Sequence, residues 1–359
     1  MRALVGASSV HSVVRVTGNF ASEGPLHPAA REALLAAFDQ GWADPKKISQ
    51  SASRAAILRN QALENIAAKL EVSPAALEVI GEPALGHYLS IAGLFNSQSP
   101  FTYSAVDKGK IRAIARAHQF PVHQLDVDKS GSILDIESIP ENSVISLQLA
   151  NGETGVIQGQ INASSDSRIA IDATSSGARV RLPDRWDTAL FDSISWNGPS
   201  GLAIMAIKNR SEYSYPLPRI APISVPGSYS LPLLIASSIA LENFEIEDSS
   251  IKKFAMKEIS QLEGIQVVAP EAKALPHIFS VVVTGAAGEA IVRELASQGI
   301  DVDSGSACSP EDLQPSHVLA AMGYETNGHL RFTVHAGTNE ADISSLANAL
   351  KEVLHKLRG

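Results

Sequence analysis

The apolar and polar positions of this chain follow two alternating rhythms. Over 56–72 the residues Leu63, Ile66, Ala67 and Leu70 recur at helical spacing, and 27–42 carries a similar pattern. Short, largely apolar segments at 144–149 and 169–171 read instead as buried strands. Each closes on a polar residue, Asn151 and Asp172, and open α/β sheets hold their ligands at such strand ends. A third strand, 202–207, follows the turn Gly198-Pro199-Ser200-Gly201. Strands alternating with helices predict an α/β fold with a largely parallel sheet.

The rhythm changes after the proline-rich stretch from Pro216 to Pro226, which reads as an inter-domain connection. Beyond it the pattern predicts an apolar helix, a strand over 278–283, and a helix over 289–298 that stops at Gly299. A last helix starts near Thr338 or Asn339, either a good N-cap. It sets Ile343, Leu346, Leu350, Val353, Leu354 and Leu357 on one face. The expected organisation is a large α/β domain over 15–225 and a small α+β domain over 226–359, which residues 1–14 join.

Composition narrows the function classes. Of 359 residues, 45% are hydrophobic and 19% charged, which suits a globular protein with a large core. The net charge is −9 with no basic stripe, which argues against nucleic-acid and anionic-membrane partners. No apolar run is long enough to span a bilayer, and polar residues interrupt the N-terminal segment, so a cytoplasmic location is expected. The single cysteine, Cys308, cannot form an intramolecular disulfide or a multi-thiolate site. The ten histidines show no HExxH-type spacing, and no metal is expected.

Specific motifs appear in the C-terminal half. DVDSGSACSPEDLQPSHVLAAMG (301–323) resembles the cysteine desulfurases of the NifS and IscS type, in which an SGSAC segment presents the persulfide-forming cysteine. Cys308 takes that position, seven residues before Pro315. HLRFTVHAGTNEADI (329–343) resembles the family segment whose arginine grips the substrate carboxylate, here Arg331. Upstream, VISLQLANGETGVIQ resembles the strand and turn that set an asparagine beside the cofactor, here Asn151. IAIDATSSG resembles the strand whose aspartate holds the pyridine nitrogen, here Asp172. LDVDKSGSILD and the GPSG turn also fit, so the resemblance runs from about Asn19 to the C-terminus. It implies the pyridoxal-phosphate-dependent fold type I of class V aminotransferases, with a mostly parallel, seven-stranded-type sheet and a smaller C-terminal domain.

The same resemblance exposes departures. Counting back from the GPSG turn, the Schiff-base lysine position is Ser195, and FDSISWNGPSG contains no lysine. A hydroxyl cannot form a Schiff base or shuttle an α-proton as an amine does. The phosphate cup's Gly-Ala-Thr turn reads Pro83-Ala84-Leu85, its serine reads Asp192, and its histidine reads Ile194. Proline also removes a backbone donor. A carboxylate about 4 Å from a phosphate charge costs about 4 kcal/mol at an effective dielectric near 20, or about three decades in affinity. The histidine that stacks on the pyridine ring aligns with Tyr103, and a glutamine that contacts the ring hydroxyl aligns with Ser175. The family's Ala-Thr-Thr-Pro segment reads Ser22-Glu23-Gly24-Pro25. A partner-subunit Gly-Thr phosphate contact survives weakened as Gly227-Ser228.

Each surviving residue has a structural alternative. Asp172 can tether loop backbone and draw a donor from Ser175 or water. Arg331 can bind a carboxylate-bearing small molecule or pair with Asp192 or Asp172. Asn151 can cap a turn, Tyr103 can fill space, and Cys308 can be a small buried hydrophobe as readily as a sulfur acceptor. The expected function is a homodimeric homologue without covalent pyridoxal phosphate or desulfurase activity, acting in binding or regulation. By family analogy its partners are sulfur-transfer or iron–sulfur assembly proteins. The alternative is an enzyme or sulfur carrier that uses non-covalent pyridoxal phosphate or a Cys308 persulfide. A displaced Schiff-base lysine has no candidate in the sequence pattern.

Overall fold

The computed structural model describes residues 17–40, 43–96, 98–220, 223–225, 227–305 and 315–359. Cys308 and residues 1–14 therefore lie outside the described residues. The described residues open with a two-residue strand β1 (Asn19–Phe20), then helices α1 (Pro28–Gln40) and α2 (Gln50–Leu70). Ser49 caps α2 by accepting from Ala52 N at 3.0 Å, and Glu71 ends it in the left-handed region. There follow β2 (Leu77–Ile80), α3 (Pro83–Ala92), β3 (Phe101–Ser104), α4 (Gly109–Ala117) and β4 (Val122–Leu125). Next come β5 (Val144–Gln148), β6 (Arg168–Asp172), β7 (Thr188–Asp192) and β8 (Ala203–Ile207).

These strands form one seven-stranded sheet in the order β2-β8-β7-β6-β5-β3-β4. Four of its pairings are parallel, and only β8 runs against its neighbours. The central strands are buried on both faces, which is why β8 reads as a continuous apolar run and β5 buries Ser146 and Gln148 along with its apolar residues. Because β5, β6 and β7 run parallel, their last residues Gln148, Asp172 and Asp192 gather at one edge of the sheet. Predicted and observed elements agree here within a few residues.

Within the proline-rich stretch, β9 (Arg219–Ile220) pairs antiparallel with β10 (Ile223–Ser224). The helix after it, α5 (Leu231–Glu242), packs on α1 and α2 and buries Leu231, Leu234, Ile235 and Leu241 in the large core. An apolar helix that is buried all round belongs inside a core. α5, expected in the small domain, thus shares the core of the seven-stranded sheet.

The second core gathers α6 (Ser249–Ser260), β11 (Ile265–Val267), β12 (Ile278–Val283), α7 (Gly288–Ser297) and β13 (Asp301–Val302). After a short helix α8 (His317–Ala321), it is completed by β14 (His329–Thr333) and α9 (Glu340–Arg358). Its sheet is antiparallel, β11-β12-β14, and β1 pairs in parallel with β13. Asn339 and Asp342 form a reciprocal capping box at the start of α9. Among the described residues no helix is long and apolar enough to cross a membrane.

Candidate functional site

Asp172 ends β6 with 5% of its surface exposed. Its Oδ1 accepts from Thr174 N at 2.9 Å and from Thr174 Oγ1 at 2.5 Å. Its Oδ2 faces His87 Nε2 at 3.3 Å and Lys108 Nζ at 3.5 Å. The lysine also donates to Thr174 Oγ1. Burial alone would raise the Asp172 carboxyl, but Lys108, His87 and Thr174 outweigh it and hold the group well below the usual carboxylate range. The donor set is thus Thr174, His87 and Lys108; Ser175, the expected donor, instead lies against Gly152, where an added Cβ would sit 2.8 Å from its Oγ.

Lys108 sits between β3 and α4, immediately after Asp107. Asp107 is fully buried, and its carboxyl accepts from Ser104 N at 3.0 Å. Burial first, and then the nearby Asp172 charge, push it up to about 7. Tyr103, by contrast, does not reach Asp172. Its hydroxyl donates to Gln124 Oε1 at 2.8 Å on the edge strand β4, and its ring stacks on Phe101. The residue over Asp172 is Lys108, five positions later in the chain.

At the start of α3, Glu82 is the N-cap, and its carboxylate accepts from Ala84 N at 2.9 Å and Leu85 N at 2.5 Å. These are the donors that an anion would seek at a helix N-terminus. Leu85 itself is half-buried against the sheet. Asp192 caps the single turn Ser193–Trp196 by accepting from Ile194 N at 3.2 Å. Burial pushes its carboxyl up, and Lys108, Lys110 and His87 oppose that shift. Ile194 is 53% exposed. Ser195 donates to Asp192 O at 2.6 Å, and its Oγ would lie 2.4 Å from a Cβ at Gly177, whose φ is +54°. Only glycine fits that close approach.

The other expected residues are placed as follows. Asn151 is a loop builder: its Oδ1 accepts from Glu153 N, Thr154 N and Thr154 Oγ1, and its Nδ2 donates to Val106 O and Gln148 Oε1. Arg331 pairs with Asp303 at 3.7 Å rather than with Asp192 or Asp172. Asp303 also accepts from Ser22 N at 2.7 Å. Ser228 is exposed, and its carbonyl abuts Gly81 just ahead of α3 in the same chain. Among the described residues no group of three or more His, Cys, Asp or Glu side chains is arranged to hold a metal ion.

The class V aminotransferase family profile matches residues 223–346. The cysteine desulfurase IscS 1 of Archaeoglobus fulgidus is 28% identical over 67% of this chain and 69% of its own. A cysteine desulfurase of Cereibacter sphaeroides is 25% identical over 93% of this chain and 94% of its own. A NifS-like protein from Rickettsia africae superimposes with a TM-score of 0.81 at 17% identity, covering 95% of this chain and all of that one, and shows the same fold.

The chain is similar to NifS- and IscS-type cysteine desulfurases and carries a class V aminotransferase match over residues 223–346.

That fold implies pyridoxal phosphate, and the side chains at the positions expected to hold it are engaged within the chain itself. Ser195, the position expected for the covalent anchor, turns its hydroxyl back to Asp192 O. The donors at the α3 N-terminus already serve Glu82. The carboxylate meant for a protonated ring nitrogen already serves Lys108 and His87. His87, Asp107, Lys108 and Glu82 were all missed in the sequence pattern. Two signals pointed to them: Glu82-Pro83 is a helix start, and Asp107-Lys108 follows a strand end of the same kind as Asp172.

Proposed function

We propose that this NifS/IscS-like chain has given up covalent pyridoxal phosphate and cysteine desulfuration and acts as a homodimeric binding or regulatory protein. One observation carries the reading: both poles of the cofactor site are satisfied by side chains of the chain itself, Lys108 on Asp172 and Glu82 on the start of α3. Lys108 is also no substitute for the missing lysine. Its ammonium lies at the ring-nitrogen pole, and the cofactor's aldehyde sits across the ring from that nitrogen. Exposed Leu35 and Phe38 on α1 and Ile57 on α2 leave apolar surface for a second copy. The partner class suggested by the desulfurase relatives is a sulfur-transfer or iron–sulfur assembly protein.

The full chain is to be incubated with pyridoxal phosphate, dialysed, and examined for a visible absorption band, for a borohydride-stable mass adduct, and for sulfide release from cysteine. All three are expected to be absent. A trapped lysine adduct or cysteine-dependent sulfide overturns the reading, and a band without an adduct restores the non-covalent alternative. Ser195→Lys is expected to release no sulfide either, because Glu82 and Asp192 still oppose a phosphate. Turnover in that variant would show that the phosphate pole is intact.

A further inference from the structure

Asp172 is a carboxylate site whose cation is carried by the chain. Lys108 Nζ lies 3.5 Å from Oδ2 and donates to Thr174 Oγ1, so one ammonium serves two acceptors. Its lysine stem runs past Gly152, where an added Cβ would come within 3.9 Å of Cε. The backbone beneath Lys108 is held on both sides. Its carbonyl accepts from Ile111 N and Arg112 N at the start of α4, and the preceding Asp107 carbonyl meets His317 Nε2 at 2.8 Å. The Lys108 side chain is 29% exposed while that of Asp172 is 4% exposed, so the stem runs from solvent to the buried carboxylate. An aspartate with three kinds of donor and such a route is a formed cation site, and an ammonium of the right length fills it.

We propose that Lys108 is the specificity-determining residue of this pocket, occupying from within a site on Asp172 for a small organic cation, a primary ammonium or a protonated heteroaromatic nitrogen, and excluding such ligands from outside. The assignment rests on the cofactor-free reading and deepens it, since it names what replaces the ligand's charge. Without Lys108, Asp172 keeps Thr174 and His87 but loses its one permanent cation, next to the buried Asp107 and near Asp192. The vacancy that results has the charge and shape of the group removed.

Truncation of Lys108 to alanine removes the equivalent of n-propylammonium. In the full-length chain, Lys108→Ala is expected to unfold several degrees below wild type. n-Propylammonium chloride is expected to raise that midpoint saturably, while sodium chloride at equal ionic strength and 1-propanol do not. Wild type is expected to show no such response, and adding Asp172→Asn to Lys108→Ala is expected to abolish it. Equal responses in wild type and Lys108→Ala, or rescue that survives Asp172→Asn, overturn the assignment. Should Lys108→Ala not fold, acetylation of the wild-type chain decides, read peptide by peptide by mass spectrometry. Lys108 is expected to react about tenfold slower than exposed Lys110, because its amine reacts only in the fraction of molecules where it has left the carboxylate. Equal rates at the two lysines overturn the assignment. A chromophore retained by wild type would overturn the cofactor-free reading by itself. Absent rescue overturns only the role of Lys108 and leaves that reading on Ser195 and Glu82.

Discussion

Truncating Glu247 to alanine is expected to destabilise the fold by about 3–5 kcal/mol, the usual cost of leaving one member of a buried ion pair alone. Glu247 accepts from Arg179 Nε at 2.7 Å and pairs with its Nη2, so the guanidinium is held in a two-point fork. The side chains are 4% and 8% exposed, so little solvent is available to replace the lost carboxylate. Arg179 also lies over the Phe244 ring at 4.6 Å and donates to Ser195 O, which ties the loop after β7 to the segment following α5. Urea unfolding would show the loss as a lower midpoint at unchanged slope. Replacing both partners with apolar residues of similar volume, Arg179→Met with Glu247→Leu, is expected to recover most of it. A loss below about 1 kcal/mol for Glu247→Ala, the range of exposed pairs, would mean that water reaches the guanidinium.

The second large effect is a dependence of stability on pH that runs opposite to ordinary acid denaturation. Burial, reinforced by the Asp172 charge, raises Asp107 from 3.8 to about 7. The folded state therefore keeps a proton that the unfolded chain has already released. Stability must then fall as pH rises from about 4 to about 7, by on the order of 4 kcal/mol for a shift of this size. Half-buried Glu153, whose carboxyl desolvation also raises, adds to the same trend. Asp172 acts in the other direction: its stabilisation is present above the ordinary carboxylate range and is lost as pH falls below it. Asp107→Asn is expected to flatten the decline between about pH 4.5 and 7.5 and to exceed wild type in stability at the upper end. An asparagine variant with the wild-type slope would place the titration elsewhere.

The architecture was readable because it rests on periodicity. A continuous apolar run marked β8, a largely apolar one marked β5, and Asn339 marked the start of α9. The strand end at Asp172 was also placed correctly, since a polar residue closing an apolar run is a local signal, whereas Asn151 lies in the loop three residues past the end of β5. What failed was anything that depends on where a loop side chain turns. Tyr103 was matched to the ring-stacking position by neighbouring letters, yet β3 ends at Ser104 and the chain brings Lys108 over Asp172. Glu82 was passed over because its effect lies in two backbone bonds that become visible only once α3 is built. α5 was assigned to the small domain because the stretch from Pro216 to Pro226 was read as a connection. The sequence of α5, apolar but for Ser237, Ser238 and the terminal Glu242, was the better guide, since such a helix must be buried.

The pairing of β1 with β13 sets an order on how the chain matures. Phe20 and Val302 sit side by side in one core although nearly the whole chain separates them. As the protein is made, the large sheet can close around α1, α2 and α5 while Phe20 still waits in water for its neighbour to leave the ribosome. Contacts of such separation carry the heaviest loop-closure cost and form late. The early chain is thus most exposed to capture by chaperones or proteases at its first strand, and a product that stops short of Asp301 would keep that liability for good.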